Sequence, residues 1–181
     1  QTGRKLLPGS VEGNLQTTDT GIKISFIVPY YKKLFSLKLC LKSLLAQSVK
    51  NQIEIIVVFD GPDLDAERLI KKLNKPCIKT VFLPENRGAP AARNAGLEAA
   101  TGEFVSFWDA DSVIEPGAAA VWLQAFNKWP EFDFVYSGYR FEEGMGGISS
   151  RNFDPWLLEV NNYISGHFPI RRSKCPKWDE N

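Results

Sequence analysis

Apolar residues arrive along this chain in short blocks that alternate between two spacings. Lys23–Pro29 is a mostly apolar, branched run stopped by proline, which predicts a buried first strand. Leu34–Gln47 changes period: Leu37, Leu41, Leu44, Leu45 and Ser48 fall on one face, Lys38 and Lys42 on another, and the spacing predicts an amphipathic helix. Ile53–Phe59 predicts a second strand that ends in Asp60-Gly61-Pro62. Asp63 can then cap a helix over Leu64–Leu73, with Asp65 and Glu67 near the positive end of its dipole. Lys79–Leu83 is a short third strand, and Pro90 opens an Ala-rich helix that stops at Gly102. Phe104–Trp108 is the fourth strand, Pro116 starts a helix to about Asn127, and Phe132–Tyr136 reads as a fifth strand. Beyond Ser137 the pattern loosens into a turn region at Gly144–Gly147, a helix over Pro155–Asn162 and an extended piece at His167–Arg171.

Strands alternating with helices across short loops imply parallel βαβ units. The expected fold class is therefore α/β, a single Rossmann-like, mainly parallel sheet flanked by helices on both faces. Gln1–Gly21 is polar, carries Gly3, Pro8, Gly9 and Gly13, and shows no apolar period, so it reads as a linker or arm. A chain that opens on Gln1 is expected to be processed or cut from something longer.

Parallel sheets bind ligands at the carboxyl ends of their strands. Strand one delivers Pro29-Tyr30-Tyr31-Lys32 to that rim and strand two delivers Asp60. Asn86-Arg87-Gly88 follows strand three, with Arg93-Asn94 one helical turn later, and strand four delivers Asp109-Ala110-Asp111. In an extended segment, residues two apart point the same way, so both carboxylates can face one small volume. Two hard oxygen ligands there would suit a divalent cation shared with a phosphate. A carboxylate for ribose hydroxyls and arginines for phosphate complete the outline of a nucleoside-diphosphate site. Each member also has a plainer reading. Asp-x-Asp is ordinary turn chemistry, Asp60 can belong to a turn, Arg87 and Arg93 can be solvated, and one of Tyr30 and Tyr31 can be packing. Neither Gly-x-Gly-x-x-Gly nor a P-loop is present, which disfavours a dinucleotide or Walker-type site.

Composition narrows the choice of partners. The 181 residues carry a formal net charge of +1, so no global field draws the chain to nucleic acid or to an anionic membrane. Purely apolar runs such as Ile55–Phe59 are far short of the roughly 20 residues of a membrane span. Cys40, Cys77 and Cys175 are widely spaced and odd in number, which fits buried or half-buried apolar roles in a reducing, cytoplasmic setting.

The ordered segments Ile27-Val28-Pro29-Tyr30-Tyr31, Glu54–Gly61, Asn86–Gly96 and Trp108-Asp109-Ala110-Asp111 resemble those of the family 2 glycosyltransferases. The resemblance implies an inverting, metal-dependent enzyme of the A-type glycosyltransferase fold, with a nucleoside-diphosphate sugar as donor, UDP being one form, and a glycan or other hydroxyl as acceptor. It implies that Pro29 and Tyr31 flank the nucleobase, that Asp60 contacts the nucleoside, and that Arg93, with Arg87 and Asn94, lies near the base or diphosphate. It also places Asp109 near the ribose and Asp111 on a Mn or Mg ion. By the same resemblance, 22–137 is the donor part and 138–181 the start of an incomplete acceptor part. Within the latter, Asn162–Gly166, Arg171-Arg172 and Trp178-Asp179-Glu180 match acceptor-side steps. Departures are Tyr30 where Thr is usual, Lys32 where Asn is usual and Phe59 in place of an acid.

Inverting transfer also needs a base for the acceptor hydroxyl. The resemblance puts that carboxylate beyond Asn181, with Asp179 and Glu180 as weak candidates within the chain; Glu142, Glu143, Asp154 and Glu159 are further acids. The chain is thus expected to bind donor and to transfer poorly or not at all. The alternatives are a non-catalytic nucleotide-sugar or glycan binding module, and a nucleotidyltransferase, which lacks support without a Gly-rich loop after strand one. His167 is expected to be a hydrogen-bonded structural residue. Trp156 and Trp178 are expected to close the core, ahead of stacking on acceptor rings.

Overall fold

Strand β1 (Ile24–Tyr30) lies at the centre of the main sheet, where Ile24, Phe26, Ile27, Val28 and Tyr30 are apolar and buried. A strand apolar on both faces needs cover above and below, and the alternation of its residues shows how that is supplied. The computed structural model describes residues 21, 23–140, 147–148, 152–161 and 164–180. β1 pairs in parallel with β2 (Ile53–Asp60) on one side, and β2 in turn pairs in parallel with β3 (Ile78–Leu83). On its other side β1 pairs in parallel with β4 (Phe104–Phe107), so that Ile24 stands opposite both Ile53 and Phe104.

One face of the sheet presents Phe26, Val28, Ile55 and Val57 to α1 (Leu34–Leu45), α2 (Leu64–Leu73) and α4 (Ala118–Lys128). The other presents Ile27, Ile56, Val58 and Val105 to α3 (Ala89–Ala99). Helices therefore cover both faces, as the sequence implies. Asp63 caps α2 as expected, accepting from the amides of Asp65 and Ala66 at 3.1 Å each. α1 stops at Leu45, short of Gln47 and Ser48. The buried Gln47 amide instead bridges the Glu115 carbonyl (3.0 Å) and the Ala119 amide (3.1 Å), joining the end of α1 to the start of α4. That α4 begins at Ala118 rather than Pro116 follows from Gly117, whose φ of 82° lies outside helical space.

The expected fifth strand over Phe132–Tyr136 does not form. β7 (Ile170–Arg171) pairs antiparallel with β4 and takes the sheet edge, leaving Phe134 a single bridge to Ile170 on its far side. Two apolar pieces compete for that edge, and local pattern cannot tell which one the chain returns to it. Between them lie a two-residue pairing of β5 (Tyr139–Arg140) with β6 (Gly147–Ile148) and the helix α5 (Pro155–Val160). Residues 1–20, part of the expected turn region, Glu142 and Glu143 lie outside the described residues, as do Asn162 and Tyr163. Trp156 is 77% exposed and does not close the core. Cys40 is buried, Cys77 and Cys175 are half-buried, and all three are free thiols.

Two features fix how closely the layers approach. A Cβ on Gly96 would lie 2.3 Å from Ile27 Cγ2 and 3.1 Å from Val58 Cγ2, so α3 sits on the sheet only because this residue has no side chain. At the amino end of the sheet the buried Glu54 carboxylate accepts from Ser25 Oγ (2.6 Å), Thr101 N (2.7 Å) and Thr101 Oγ1 (2.8 Å), and meets Lys79 Nζ at 2.6 Å. Burial pushes this carboxyl's pKa up, but Lys79 and the hydrogen bonds outweigh it and bring it to about 2, from an ordinary 4.5.

Gly96→Val should cost about 1–3 kcal/mol by overpacking, read as a lowered midpoint in urea with an unchanged m-value. Because the folded pKa of Glu54 is depressed, its contribution is present above pH 4.5 and is lost as pH falls toward 2. Glu54→Gln should lower stability at pH 7 and flatten the acid limb of a stability–pH curve over that window.

Candidate functional site

The carboxyl ends of β1, β2 and β4 and the loop after β3 open onto one cleft of about 390 Å3. Pro29, Tyr31, Asp60, Asp109 and Asp111 all line it, together with Lys33, Asn86 and Gly88. Tyr30 is the packing member of the tyrosine pair. Its ring is buried against Phe59 and its hydroxyl donates to Asp63 Oδ2 at 2.7 Å. Tyr31 is 45% exposed at the cleft, with Lys32 Nζ 5.2 Å from its ring centre. Asn86 and Lys32 hold its phenol pKa below the ordinary value.

Asp60 is buried, and its carboxylate faces the loop after β3. Oδ1 accepts from Arg87 N at 2.7 Å and Oδ2 from Gly88 N at 3.0 Å. Gly88 has φ 88° and Gly61 φ 97°, and a Cβ on Gly61 would come within 3.3 Å of Asn86 N. Both positions need glycine for the loop to fold back onto Asp60. Asp60 thus shapes the cleft wall as well as bordering it.

Asp109 is held from two sides. Arg93 Nη2 lies 3.0 Å from Oδ1, and His167 Nε2 lies 3.2 Å from Oδ2. The His167 contact, then Arg93, keep this carboxyl's pKa below the usual value despite burial that would raise it. His167 also contacts Ser165 and Ser112 through its ring and stacks at a tilt on Trp108, in the structural role expected of it. Asp111 is more open. Its Oδ2 meets Lys33 Nζ at 2.7 Å, with the two side chains 49% and 61% exposed. Arg87, Arg93 and Asn94 are not among its lining residues, though Arg93 and the Arg87 backbone amide bond the lining carboxylates Asp109 and Asp60. Arg87 reaches Glu180 at 2.8 Å and Asn94 bonds the Trp178 backbone.

Lys33 is a cleft residue that the sequence reading does not single out, and Asn86 enters that reading only within the Asn86-Arg87-Gly88 segment. Lys33 sits past the strand end, where no periodicity announces a side chain's direction. Among the described residues no three acidic, His or Cys side chains cluster as a ready-made metal cage. The donor set nonetheless fits a Mg2+- or Mn2+-type ion, which takes one or two protein carboxylates and fills its shell with phosphate and water. Asp111 supplies such an oxygen, and the lysine on it is a flexible cation in water.

Among the described residues no helix is long and apolar enough to cross a membrane. The glycosyl transferase family 2 profile matches residues 25–176. The glycosyltransferase GlyA of Streptococcus pneumoniae is 34% identical over 125 residues, covering 68% of this chain and 18% of that protein. Staphylococcus aureus TarS 1-349 in complex with UDP-GlcNAc has a TM-score of 0.64 and 25% identity, over 84% of this chain and 46% of that one. The mannosyltransferase PcManGT of Pyrobaculum calidifontis, in complex with GDP-Man and Mn2+, has a TM-score of 0.54 and 25% identity, over 67% of this chain and 36% of that one. This chain therefore spans less than half the length of each of these proteins. With the strand-end motifs assembled on one rim of a mostly parallel sheet, the chain has the GT-A fold and belongs to glycosyl transferase family 2.

Proposed function

We propose that residues 22–137 bind a nucleoside-diphosphate sugar and that the protein transfers its sugar, with inversion and with a divalent cation, to a hydroxyl of a glycan or similar acceptor. The observation that carries this reading is the meeting of Tyr31, Asp60, Asp109 and Asp111 around one cleft. The nucleotide-sugars present in the TarS and PcManGT structures support it. Pro29 and the exposed Tyr31 ring would flank the nucleobase, and Asp60 would hold the 86–88 loop against the nucleoside. Asp109, fixed by Arg93 and His167, presents oxygens that accept from ribose hydroxyls. Asp111, with Asp109, would hold the cation, which when bound offsets charge on the departing diphosphate. Residues 138–181 would begin the acceptor side. Glu180 is taken up by Arg87 and Asn94, so it is not assigned the task of activating the acceptor. A non-catalytic binding module has less support, since the relatives carry the name glycosyltransferase.

Titration calorimetry with UDP-, GDP- and TDP-sugars should give binding to at least one of them that strengthens with Mn2+. Asp111→Ala should remove about 10–100-fold of that metal-dependent affinity. Binding indifferent to both Mn2+ and Asp111 would sink the reading. Lys33→Met should raise Mn2+ affinity up to about fivefold, because displacing an exposed ion pair costs only ~0–1 kcal/mol. Electron paramagnetic resonance of free Mn2+ reads this directly.

A further inference from the structure

Residues 175–180 run along α3 from its end toward the loop before it: Lys177 meets Glu98 at 2.7 Å, Trp178 meets Asn94 and Glu180 meets Arg87. Asn94, only 6% exposed, clamps this strap with both ends of its amide. Its Oδ1 accepts from Trp178 N at 2.8 Å, and its Nδ2 donates to the Trp178 carbonyl at 2.9 Å. That is the pairing a neighbouring strand would offer, supplied here by one side chain. Nδ2 also donates to Glu180 Oε1 at 2.7 Å, and Glu180 Oε2 meets Arg87 at 2.8 Å.

The clamp places the Trp178 indole. One side meets Phe107 edge-on, with centroids 5.4 Å apart, and the Arg93 guanidinium lies 4.5 Å from the ring centre. Arg93 in turn holds Asp109. Its Nε is buried without an acceptor, so the guanidinium is fixed by the indole face and by Asp109 rather than by a full set of hydrogen bonds. A long side chain held by so few ties loses its orientation when one is removed.

We propose that Asn94 and Trp178 are positioning residues for the donor, acting through Arg93 on Asp109. This rests on the reading of the cleft as a nucleoside-diphosphate site. Asparagine suits position 94 because the strap needs one donor and one acceptor from the same group; a carboxylate would supply only the acceptor and would face Glu180 with like charge. Coupling between sites is reciprocal, so donor in the cleft should also tighten the strap.

The test pairs UDP titration in Mn2+ with limited trypsin cleavage after Lys177 on the full chain. Asn94→Ala and Trp178→Ala should each weaken UDP binding about tenfold, within the range usual for coupled sites. The double variant should lose about the same tenfold rather than a hundredfold, because both act through one strap. Trp178→Phe, which keeps a ring under Arg93, should stay within about twofold of wild type. Cleavage after Lys177 should speed up in Asn94→Ala and slow down in wild type when UDP is added. If wild type binds UDP and the folded alanine variants bind it equally well, or if their losses add, the strap has no such role. If Asn94→Ala does not fold, Trp178→Ala on the exposed strap decides alone. Where wild type binds GDP or TDP in place of UDP, that diphosphate is the probe; if it binds none of the three, the functional reading itself falls and takes this inference with it.

Discussion

Parallel pairing of β1 with both β2 and β4 is the constraint on which the rest depends. It points three strands the same way, so their carboxyl ends and the loops that follow meet at one edge. Side-chain alternation along those strands gives one face to α1, α2 and α4 and the other to α3. Gly96 lets α3 come close enough to the sheet for its second turn, which carries Arg93 and Asn94, to reach Asp109 and the 175–180 segment. At the opposite end, Glu54 gathers β1, β2, β3 and the turn before β4 around one buried carboxylate. A buried acid of this kind persists only with partners for its oxygens, and it has them.

The charges at the cleft differ in how firmly they are held. Asp60 spends both oxygens on backbone amides, Asp109 both on Arg93 and His167, and Asp111 meets an exposed lysine. Charge-assisted bonds to a partly buried carboxylate are the stronger kind, whereas an exposed lysine–carboxylate pair contributes little net free energy. The two acids of Asp109-Ala110-Asp111 are therefore unlike despite their adjacency. Asp109 is tied to two side chains, Arg93 and His167, and Asp111 to a single exposed lysine. That division suits a site in which one carboxylate orients a ligand and the other takes up a cation arriving with it.

Much of this was legible in the chain. Proline after a branched apolar run, period-3.6 leucines and an Asp cap mark β1, α1 and α2 because those signals are local and steric. The four strand-end motifs carried the family and the identity of the cleft residues Tyr31, Asp60, Asp109 and Asp111. Arg87, Arg93 and Asn94 are not among the residues lining the cleft, and their side chains turn to Glu180, Asp109 and Trp178. A motif records that a residue type recurs at a position, not which neighbour its side chain turns to.

The sequence by itself therefore determined the order of elements through α4, the mostly parallel sheet and the rim that carries the chemistry, since each follows from short-range sterics and apolar periodicity. Only the tertiary structure decided which strand closes the β4 edge, that Asp60 braces a loop, and that Lys33, His167 and the 175–180 strap stand at the site. Those contacts join residues 27 to 86 positions apart. No local pattern encodes such a pairing; it exists only once the sheet has brought the two segments together.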